Sequence, residues 1–590
     1  MAKNKGNTNP KSASVKAENK VSSVENSNDT AQWFNTDKII CLICAVLAVY
    51  FASMFLFPFD TGVTGHDSSY HYLRIEALAQ KIKNGEFFCG GIDYLFFGGA
   101  GYASSAAYPD LMIYIPALLR CIGVGVNQCM NIHIVLINAA VYASAFICAK
   151  SITKSEYAGT IAACAFLLCN YRIDTIYTRM AIGEATAAAF IPVIILGMYD
   201  MLFRDFKKPY ILGLGFVCVI LTHTISTAVL LGLCVILTIV FIKHMNVKKI
   251  IRLALTAVSA AAVTMFYWLP LFEMLGSADF GVKHNFFHPV NQCVEFWKMF
   301  SGESIKGTAA IVVVLVSLRM FIPKNSKVYK NMCSESGQKP DSMKFADVLS
   351  IIAILLLPLV STVKVWEFLG TSGEFIQFPW RLYMFSNALA AIAGSIYLYN
   401  ILRFTGSCEI GAIAVLIMMT VSVCGHKSVV GTNRIKYDDD HFQRIENTQS
   451  VGMGEWMPQK FLDNIDSAKE DISVCRIDSR YEVDFIREKD ELSFKLDGGE
   501  HMYADVPLIW NKGYYAEDEK GNPLPVSISD KGYVRVSLEE VTSGEIKVQY
   551  RSTVIQIISF VVTIVYVSAL FLAFIFSSVR NRKKITEKQI

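Results

Sequence analysis

The segment Gly65-His66-Asp67-Ser68-Ser69-Tyr70-His71-Tyr72-Leu73-Arg74 follows directly after the first strongly apolar stretch of the chain. If a helix begins here, Asp67, His71 and Arg74 are spaced four and three residues apart and share one helix face. The pattern therefore predicts an amphipathic helix over residues 67–84. We expect it to lie at a membrane surface, with an acid, an imidazole and a guanidinium gathered at its start.

Asp67 has two interpretations. Aspartate is favoured at helix N-caps, where its carboxylate satisfies free backbone amides. Alternatively, the carboxylate is a functional group presented outside the membrane. The residues of this segment leave both interpretations open, and Asp60, in the same loop, is a rival to Asp67 for a functional role.

The composition is that of an integral membrane protein. Of the 590 residues, 53% are hydrophobic and only 18% are charged, whereas soluble domains have about 25% charged residues. The chain contains no P-loop, dinucleotide fingerprint or zinc-protease motif, so ATP-driven transport and nicotinamide chemistry have no support. We expect no nucleotide or organic cofactor and no nucleic-acid partner. We place no metal ligands, but a requirement for a divalent metal stays open.

Twelve apolar stretches are predicted to span the membrane. Lys and Arg cluster after alternate stretches, and the positive-inside rule then places both termini in the cytoplasm and the Asp67 loop outside. Residues 110–123 are too short to span comfortably and are predicted to be interfacial or re-entrant. The predicted spans are residues 39–57, 129–149, 158–172, 185–203, 209–222, 224–242, 253–271, 308–322, 346–363, 381–400, 409–424 and 553–577.

A polar insert precedes the last span and must be extracellular in this topology. It carries alternating apolar and polar residues, as in Val534–Leu538 and Ile546–Tyr550, which is typical of half-buried strands. The predicted fold is a polytopic α-helical membrane protein with a small extracellular β-sandwich. Its predicted parts are a disordered cytoplasmic tail (1–37), a transmembrane domain (38–424), the β-domain (425–552), and a final helix with a basic cytoplasmic tail (553–590).

Ionisable residues at the outer ends of spans require an explanation, because each costs roughly 2.5–3.5 kcal/mol at membrane depth. Arg179 and Glu184 lie at the mouth of one span, and Arg381 opens another beside an aromatic pair. Anchoring at the membrane interface explains any one of them. Their convergence on one side predicts a shared pocket for an anionic ligand, since Arg suits bidentate phosphate recognition. His223 would orient a phosphate or hydrogen-bond within the helix bundle.

Several of these motifs, in this order, resemble one family. The chain resembles the GT-C superfamily of membrane glycosyltransferases and, more closely, bacterial YfhO-like proteins and the group named pyruvoyl-tetrahydropterin-synthase-related membrane proteins. The resemblance covers nearly the whole chain beyond the tail. Its matching pieces are Asp67-x3-His71-x2-Arg74, Tyr108-Pro109-Asp110-Leu111, Arg179-x4-Glu184, Gln377-Phe378-Pro379-Trp380-Arg381, and Gly513-Tyr514-Tyr515 to Gly521-Asn522-Pro523-Leu524.

The resemblance implies transfer of a sugar from a polyprenyl-phosphate carrier to a cell-envelope polymer or glycolipid at the outer face of a bacterial plasma membrane. It implies that Asp67 is the catalytic base, and that Arg381, with Arg179 or Arg74, holds the carrier phosphate. His71 and Glu184 would be supporting or acceptor contacts. Two other functions stay open: a transporter or flippase of lipid-linked sugars, and a non-catalytic polymer-binding scaffold. In each case we expect membrane lipid around the chain.

Overall fold

The computed structural model describes residues 36–87, 91–284, 287–302, 307–333, 340–426, 434–444, 448, 451–466, 472–488 and 490–589. Most of the predicted disordered tail lies outside these residues. Up to residue 426 the described chain is almost entirely helical, and strands dominate from residue 475 until the last helix. The helices are α1 (Thr36–Ser53), α2 (Ser68–Lys83), α3 (Ser104–Ala107), α4 (Tyr114–Cys121), α5 (Val126–Thr153), α6 (Glu156–Leu167), α7 (Asn170–Tyr177), α8 (Ile182–Ala187), α9 (Ile191–Phe203), α10 (Pro209–Ile220), α11 (Thr224–Val240), α12 (Val247–Val263), α13 (Met265–Ser277), α14 (Ala310–Ser317), α15 (Lys327–Cys333), α16 (Asp341–Ser361), α17 (Val363–Leu369), α18 (Leu382–Leu402), α19 (Cys408–Gly425), α20 (Gln459–Leu462) and α21 (Val554–Gln589).

Seven helical stretches of the described chain are long and apolar enough to cross a membrane. Including short 3-10 turns, they are Thr36–Leu56, Val126–Thr153, Ile182–Phe203, Asp341–Ser361, Pro379–Leu402, Cys408–Gly425 and Val554–Ser577. An eighth would be the pair α12 and α13, which is bent by 68°. Each predicted span coincides with an apolar helix, but four of these helices are short. A helix of 12 residues rises only about 18 Å, less than the hydrocarbon core, so the count of twelve stays a prediction.

Helix α18 forms the centre of the helical region. Residues 382–397 are all buried, and the helix packs against α16, α6 and α14. Small side chains make this close packing possible: a Cβ atom at Gly394 would lie 2.9 Å from the Cβ atom of Leu315. Arg381, directly before α18, is thereby held at the end of a largely buried helix.

The predicted β-sandwich has two five-stranded antiparallel sheets. Their strand orders are β10-β11-β7-β3-β4 and β5-β6-β12-β8-β9. Val534, Val536, Ile546 and Val548 are buried between the sheets, as the alternating pattern predicts. The strands are β1 (Gly62–Val63), β2 (Arg434–Ile435), β3 (Cys475–Ile477), β4 (Tyr481–Val483), β5 (Phe485–Glu488), β6 (Glu491–Leu496), β7 (Tyr503–Ile509), β8 (Tyr514–Glu517), β9 (Pro523–Leu524), β10 (Val526–Ile528), β11 (Tyr533–Ser537) and β12 (Gly544–Tyr550).

The chain between α19 and the sandwich returns to the loop that precedes α2. Strand β2 pairs with β1, and the Arg434 guanidinium donates hydrogen bonds to the carbonyls of residues 55–58 and 61. These carbonyls include the free ones at the C-terminal end of the first span, where a cation is favourable. Arg434 therefore fixes the loop that leads to Asp67.

The helix predicted over 67–84 is α2, but it does not lie on a surface. Twelve of its 16 residues are buried, on all sides of the helix. The segment after β2 covers one side, where Phe442 stacks on Tyr72 with ring centroids 5.7 Å apart. On α4, Arg120 donates to Glu76 at 2.7 Å. Residues far along the chain bury the polar face as well, so α2 has no exposed polar face of the kind that an amphipathic surface helix would have, while its location at the membrane surface stays a prediction.

Candidate functional site

Backbone contacts hold Asp67 against the loop that follows α7. The amide of Asp67 donates to the carbonyl of Arg179 at 2.9 Å, and the amide of His66 donates to the carbonyl of Thr178 at 3.4 Å. This approach requires a glycine at position 65, because a Cβ atom there would lie 2.7 Å from the Thr178 oxygen. The sequence Gly65-His66-Asp67 thus brings the carboxylate beside Arg179.

The Asp67 carboxylate does not cap α2. Asp67 occupies the N-cap position, but its side chain makes no capping hydrogen bond, and it accepts none from the described residues. The residue is exposed, although protein surrounds it closely enough for desolvation to raise the pKa of its carboxyl group. Arg179 and Arg381 oppose that rise. The Asp67 carboxylate is therefore open to a ligand, and we call the space that it borders together with Arg179 and Arg381 the cleft.

Glu184 organises the cationic side of the cleft. One of its oxygens accepts a hydrogen bond from Arg179 Nη1 at 2.9 Å, and the other accepts from the Tyr171 hydroxyl at 2.7 Å. Arg381 Nε lies 3.5 Å from the same oxygen that Arg179 contacts. Two arginines thus share one glutamate, which leaves a net positive charge opposite Asp67.

Arg381 is held firmly by one edge of its guanidinium. Its Nη1 donates to the Ile376 carbonyl at 3.1 Å and to Gln377 Oε1 at 2.8 Å, and its guanidinium carbon is 5.0 Å from the ring centroid of Phe378. Its Nη2 donates no hydrogen bond to any described residue. A planar guanidinium with a free donor suits recognition of a phosphate or carboxylate.

His223 belongs to the helix bundle. Its Nδ1 lies 2.8 Å from the Ser226 hydroxyl and accepts from the Ser226 amide at the start of α11. Burial lowers the pKa of His223 to about 3, with Arg381 as a further cause, so the ring is neutral. These contacts favour hydrogen bonding within the bundle over a charged phosphate contact.

His71 and Arg74 lie on buried turns of α2. The Nη2 atom of Arg74 donates to Asp110 Oδ1 at 2.6 Å and to the carbonyls of Tyr108 and Pro109 at 3.1 and 3.0 Å. Both residues of this ion pair are buried. His71 is also buried, and desolvation, with the adjacent Arg74 charge, lowers its pKa well below the ordinary value. These contacts pack His71 and Arg74 within the protein, and their predicted binding roles stay predictions. We build the candidate site on Asp67, Arg179, Glu184 and Arg381.

Sequence reasoning missed two residues beside the cleft. Glu455 comes from the segment before the β-sandwich, and burial raises the pKa of its carboxyl, as does the nearby Asp67 carboxylate. Tyr108 places its hydroxyl against α8, so close that a Cβ atom at Gly183 would be 1.8 Å away. The Tyr-Pro-Asp motif gave a signal for Tyr108. No sequence signal indicated Glu455, because it lies almost 400 residues after Asp67 in the chain.

The charges of the cleft suit an anion next to a proton acceptor. The described residues contain no group of three or more His, Cys, Asp or Glu side chains arranged to hold a metal ion. What they do provide is an open carboxylate, a free guanidinium donor and a buried glutamate that fixes both arginines. This set can bind a phosphate and accept a proton from a neighbouring hydroxyl.

Comparison with known proteins gives remote matches. No protein-family model matches the chain. An uncharacterized protein of Lactococcus lactis subsp. cremoris (strain MG1363) is 24% identical over 261 residues, which cover 42% of this chain and 41% of that protein. The chain thus spans less than half the length of this relative.

Among solved structures, the chain is similar to arabinofuranosyltransferase AftD from Mycobacteria, with a TM-score of 0.42 and 13% identity over 74% of this chain and 29% of that one. It is also similar to the oligosaccharyltransferase AglB of Archaeoglobus fulgidus in complex with an inhibitory peptide and a dolichol-phosphate, with a TM-score of 0.35 and 11% identity over 68% and 56%. By name, both neighbours are sugar-transferring enzymes, the class that the sequence motifs resemble.

Proposed function

We propose that this protein is a membrane glycosyltransferase that moves a sugar from a polyprenyl-phosphate carrier to a cell-envelope polymer or glycolipid. The observation that carries the proposal is the open Asp67 carboxylate opposite two arginines that share Glu184. We place the reaction at the outer face of a bacterial plasma membrane, with both termini in the cytoplasm and the β-domain outside, as the distribution of Lys and Arg predicts.

In this reaction Asp67 is the general base. It takes the proton of the acceptor hydroxyl as that oxygen forms a bond to the anomeric carbon of the donor sugar. The bond between the anomeric carbon and the carrier phosphate breaks, and the phosphate leaves with the electron pair. Burial raises the pKa of the Asp67 carboxyl, which makes it a stronger base than an ordinary aspartate.

The arginines stabilise the leaving phosphate. Its charge grows as the sugar departs, and fixed cationic donors lower the energy of that transition state. Glu184 holds Arg179 and Arg381 in place before the substrate arrives, so little reorganisation is needed. The free Nη2 of Arg381 is the donor that we expect to contact the phosphate oxygens.

The position of the site suits a lipid-linked donor. Glu184 lies at the start of the span Ile182–Phe203, and Arg381 at the start of the span Pro379–Leu402. A carrier with its phosphate at these span ends would keep its polyprenyl chain in the bilayer. Glu455 comes from the insert and interacts electrostatically with Asp67, and we assign it to contact with the hydroxyls of the acceptor.

The decisive experiment is transfer by the purified, reconstituted protein. Radiolabelled polyprenyl-phosphate sugars would be supplied with candidate acceptors, and transfer or release of label measured for wild type, Asp67→Asn and Asp60→Asn. Asp60 is half-exposed and pairs with Lys436 at 3.0 Å, so its variant is the matched control. We expect label transfer by wild type and Asp60→Asn only. Equal transfer by Asp67→Asn would overturn the assignment of the base.

A further inference from the structure

A second polar cavity lies far from Asp67. It has a volume of about 390 Å³ and lies between the last turns of α5 and α9 and the start of α10. Asn131, near the start of α5, donates to loop carbonyls at Phe59 and Thr61 beside the Asp67 loop. The 28 residues of α5 rise about 42 Å, so the cavity and the proposed catalytic site occupy opposite ends of the helical region.

The cavity carries an excess of positive charge. Four cationic and two acidic side chains line it: Lys154, Asp200, Arg204, Asp205, Lys207 and Lys208. Arg204 lies 3.8 Å from Asp200, and Lys207 pairs with Asp205 at 3.1 Å. In the part of the chain that the structure describes, Lys154 and Lys208 have no ion-pair partner. The lining therefore favours an anion.

A buried acceptor in the same cavity has no donor. The Asp200 side chain is 9% exposed, and its Oδ2 atom is buried without a hydrogen-bond partner among the described residues. Leaving such an atom unsatisfied is unfavourable. A ligand that carries a hydrogen-bond donor next to its anionic group would satisfy both Asp200 and the cations.

The surface around the cavity is apolar. Ile147 on α5 and Tyr210 and Leu214 on α10 are large apolar side chains that are 53%, 57% and 57% exposed. Apolar surface next to a basic pocket at the ends of membrane helices is the arrangement in which phospholipid headgroups bind. A soluble phosphate ester would use the pocket but leave this apolar surface unused.

We propose that this cavity binds the headgroup of an anionic phospholipid that carries a hydroxyl group, of the phosphatidylglycerol type. The phosphodiester contacts Lys154, Lys208 and Arg204, and a headgroup hydroxyl donates to Asp200 Oδ2. The acyl chains lie along the exposed faces of α5 and α10. This proposal is independent of the glycosyltransferase assignment, because its ligand and its test involve no sugar transfer.

Binding to the delipidated full-length protein tests the proposal. Native mass spectrometry and the rise in Tm would be measured with phosphatidylglycerol and with phosphatidylmethanol, an anionic phosphodiester without a headgroup hydroxyl. We expect phosphatidylglycerol to bind about 10-fold more tightly, as a hydrogen bond to a charged group predicts. Asp200→Asn should reduce that preference, while the affinity for phosphatidylmethanol should not fall, because the substitution removes a negative charge beside the phosphodiester.

Charge variants provide the second arm. The double variant Lys154→Ala/Lys208→Ala should bind phosphatidylglycerol at least about 10-fold more weakly, given the contribution of each lysine near a membrane surface. Lys243→Ala/Lys248→Ala removes the same charge from exposed positions outside the cavity and should bind like wild type.

Equal binding by the two double variants would overturn the proposal, as would equal affinity of wild type for the two lipids. Soluble glycerophosphoglycerol that binds as tightly as the lipid would also overturn it, and would indicate a soluble phosphate ester as the ligand.

Discussion

Two arginines with little exposed surface, Arg74 and Arg381, use the same guanidinium atom, Nη2, in opposite ways. Arg74 Nη2 has three acceptors within 3.1 Å, including the Asp110 carboxylate. Arg381 Nη2 has none among the described residues, although the Nη1 atom of the same side chain is fixed by two acceptors. The first arginine closes a packed cluster. The second is held by one edge and presents the other edge to the cleft that Asp67 faces.

The comparison teaches that a charge at the membrane border is not informative by itself. Arg74 is buried and Arg381 is largely buried, with 3% and 12% of their side chains exposed. Both lie near carboxylates, and both belong to motifs of the resemblance. What separates them is the use of Nη2, which protein acceptors occupy in Arg74 and leave free among the described residues in Arg381, whereas the Nε atom of each arginine is buried without a hydrogen-bond partner there. The following variants test whether this distinction separates function from stability.

The largest effect is expected for Asp67→Asn. Loss of a general base lowers kcat by about 10²–10⁴-fold. Stability should not fall. Because the pKa of Asp67 is raised in the folded state, the folded protein binds this proton more tightly than the unfolded chain does. Proton binding therefore stabilises the fold at low pH, and that stabilisation is lost as pH rises through the folded-state pKa. At pH 7 the ionised carboxylate is therefore destabilising. Turnover and Tm of the reconstituted variant are the two measurements, and a lower Tm with full activity would contradict the assignment.

Arg74→Met should have the opposite profile. Removing one partner of a buried ion pair costs about 3–5 kcal/mol, because Asp110 is left buried and unpaired. We expect a large drop in Tm, with near-normal turnover per folded molecule. The double variant Arg74→Met/Asp110→Asn should recover part of the loss. An unchanged Tm with lost activity would instead move Arg74 into the site.

Arg381→Gln should reduce kcat/KM by about 10²-fold, the scale for removing one group that stabilises a developing anion. Arg381→Lys should restore little, because an ammonium lacks the planar fork of donors. Tm should change far less than in Arg74→Met. Steady-state kinetics with the lipid-linked donor give kcat/KM, and thermal unfolding of the same preparations gives Tm.

Glu455→Gln should have a smaller effect, about 10-fold in KM for the acceptor, as loss of one charged hydrogen bond predicts. The segment that carries Glu455 is fixed by backbone bonds, such as the Val282 amide to the Glu455 carbonyl at 2.7 Å, so the fold should be retained. A change in the KM of the donor alone would contradict the assignment of Glu455 to acceptor binding.

The smallest effects concern pH. In the proposed mechanism activity requires ionised Asp67, so it should fall as pH drops through the raised pKa of this carboxyl. The acidic limb of the pH profile should therefore lie at higher pH than for an ordinary aspartate. Arg381→Gln removes a charge that lowers this pKa and should move the limb to higher pH. Glu455→Gln removes a neighbouring negative charge and should move it to lower pH. Profiles of kcat/KM for the three proteins would reveal these directions.

Much of this organisation could be predicted from the sequence. Apolar runs located the membrane helices, and alternation at Val534 and Ile546 located strands, because burial on one face imposes its period on the chain. Arg179, Glu184 and Arg381 could be grouped in advance, since charged residues at span ends are costly wherever they occur. The lengths of the short helices, such as α6, were less predictable, because packing and not a bilayer-wide apolar run stabilises them.

The rest could not be predicted because it depends on contacts between distant parts of the chain. The spacing of His71 and Arg74 correctly predicted a helix. Nothing nearby in the sequence indicates that Phe442 and its neighbours cover α2. The same holds for Glu455 and for Arg434, which bonds five carbonyls around the end of the first span. Local patterns contain no information about such partners.

The pairing of β1 with β2 joins residues more than 370 positions apart, and this affects how the protein is made. During synthesis, Asp67 leaves the ribosome long before Arg434 and Glu455 exist, so the early helices enter the membrane with the loop before α2 still unsecured. Contacts this remote in sequence form late and slowly. A nascent or truncated chain that ends after α19 would therefore contain both arginines and the base, yet lack a finished site. The proposed glycosyltransferase activity would therefore begin only after the polypeptide is complete.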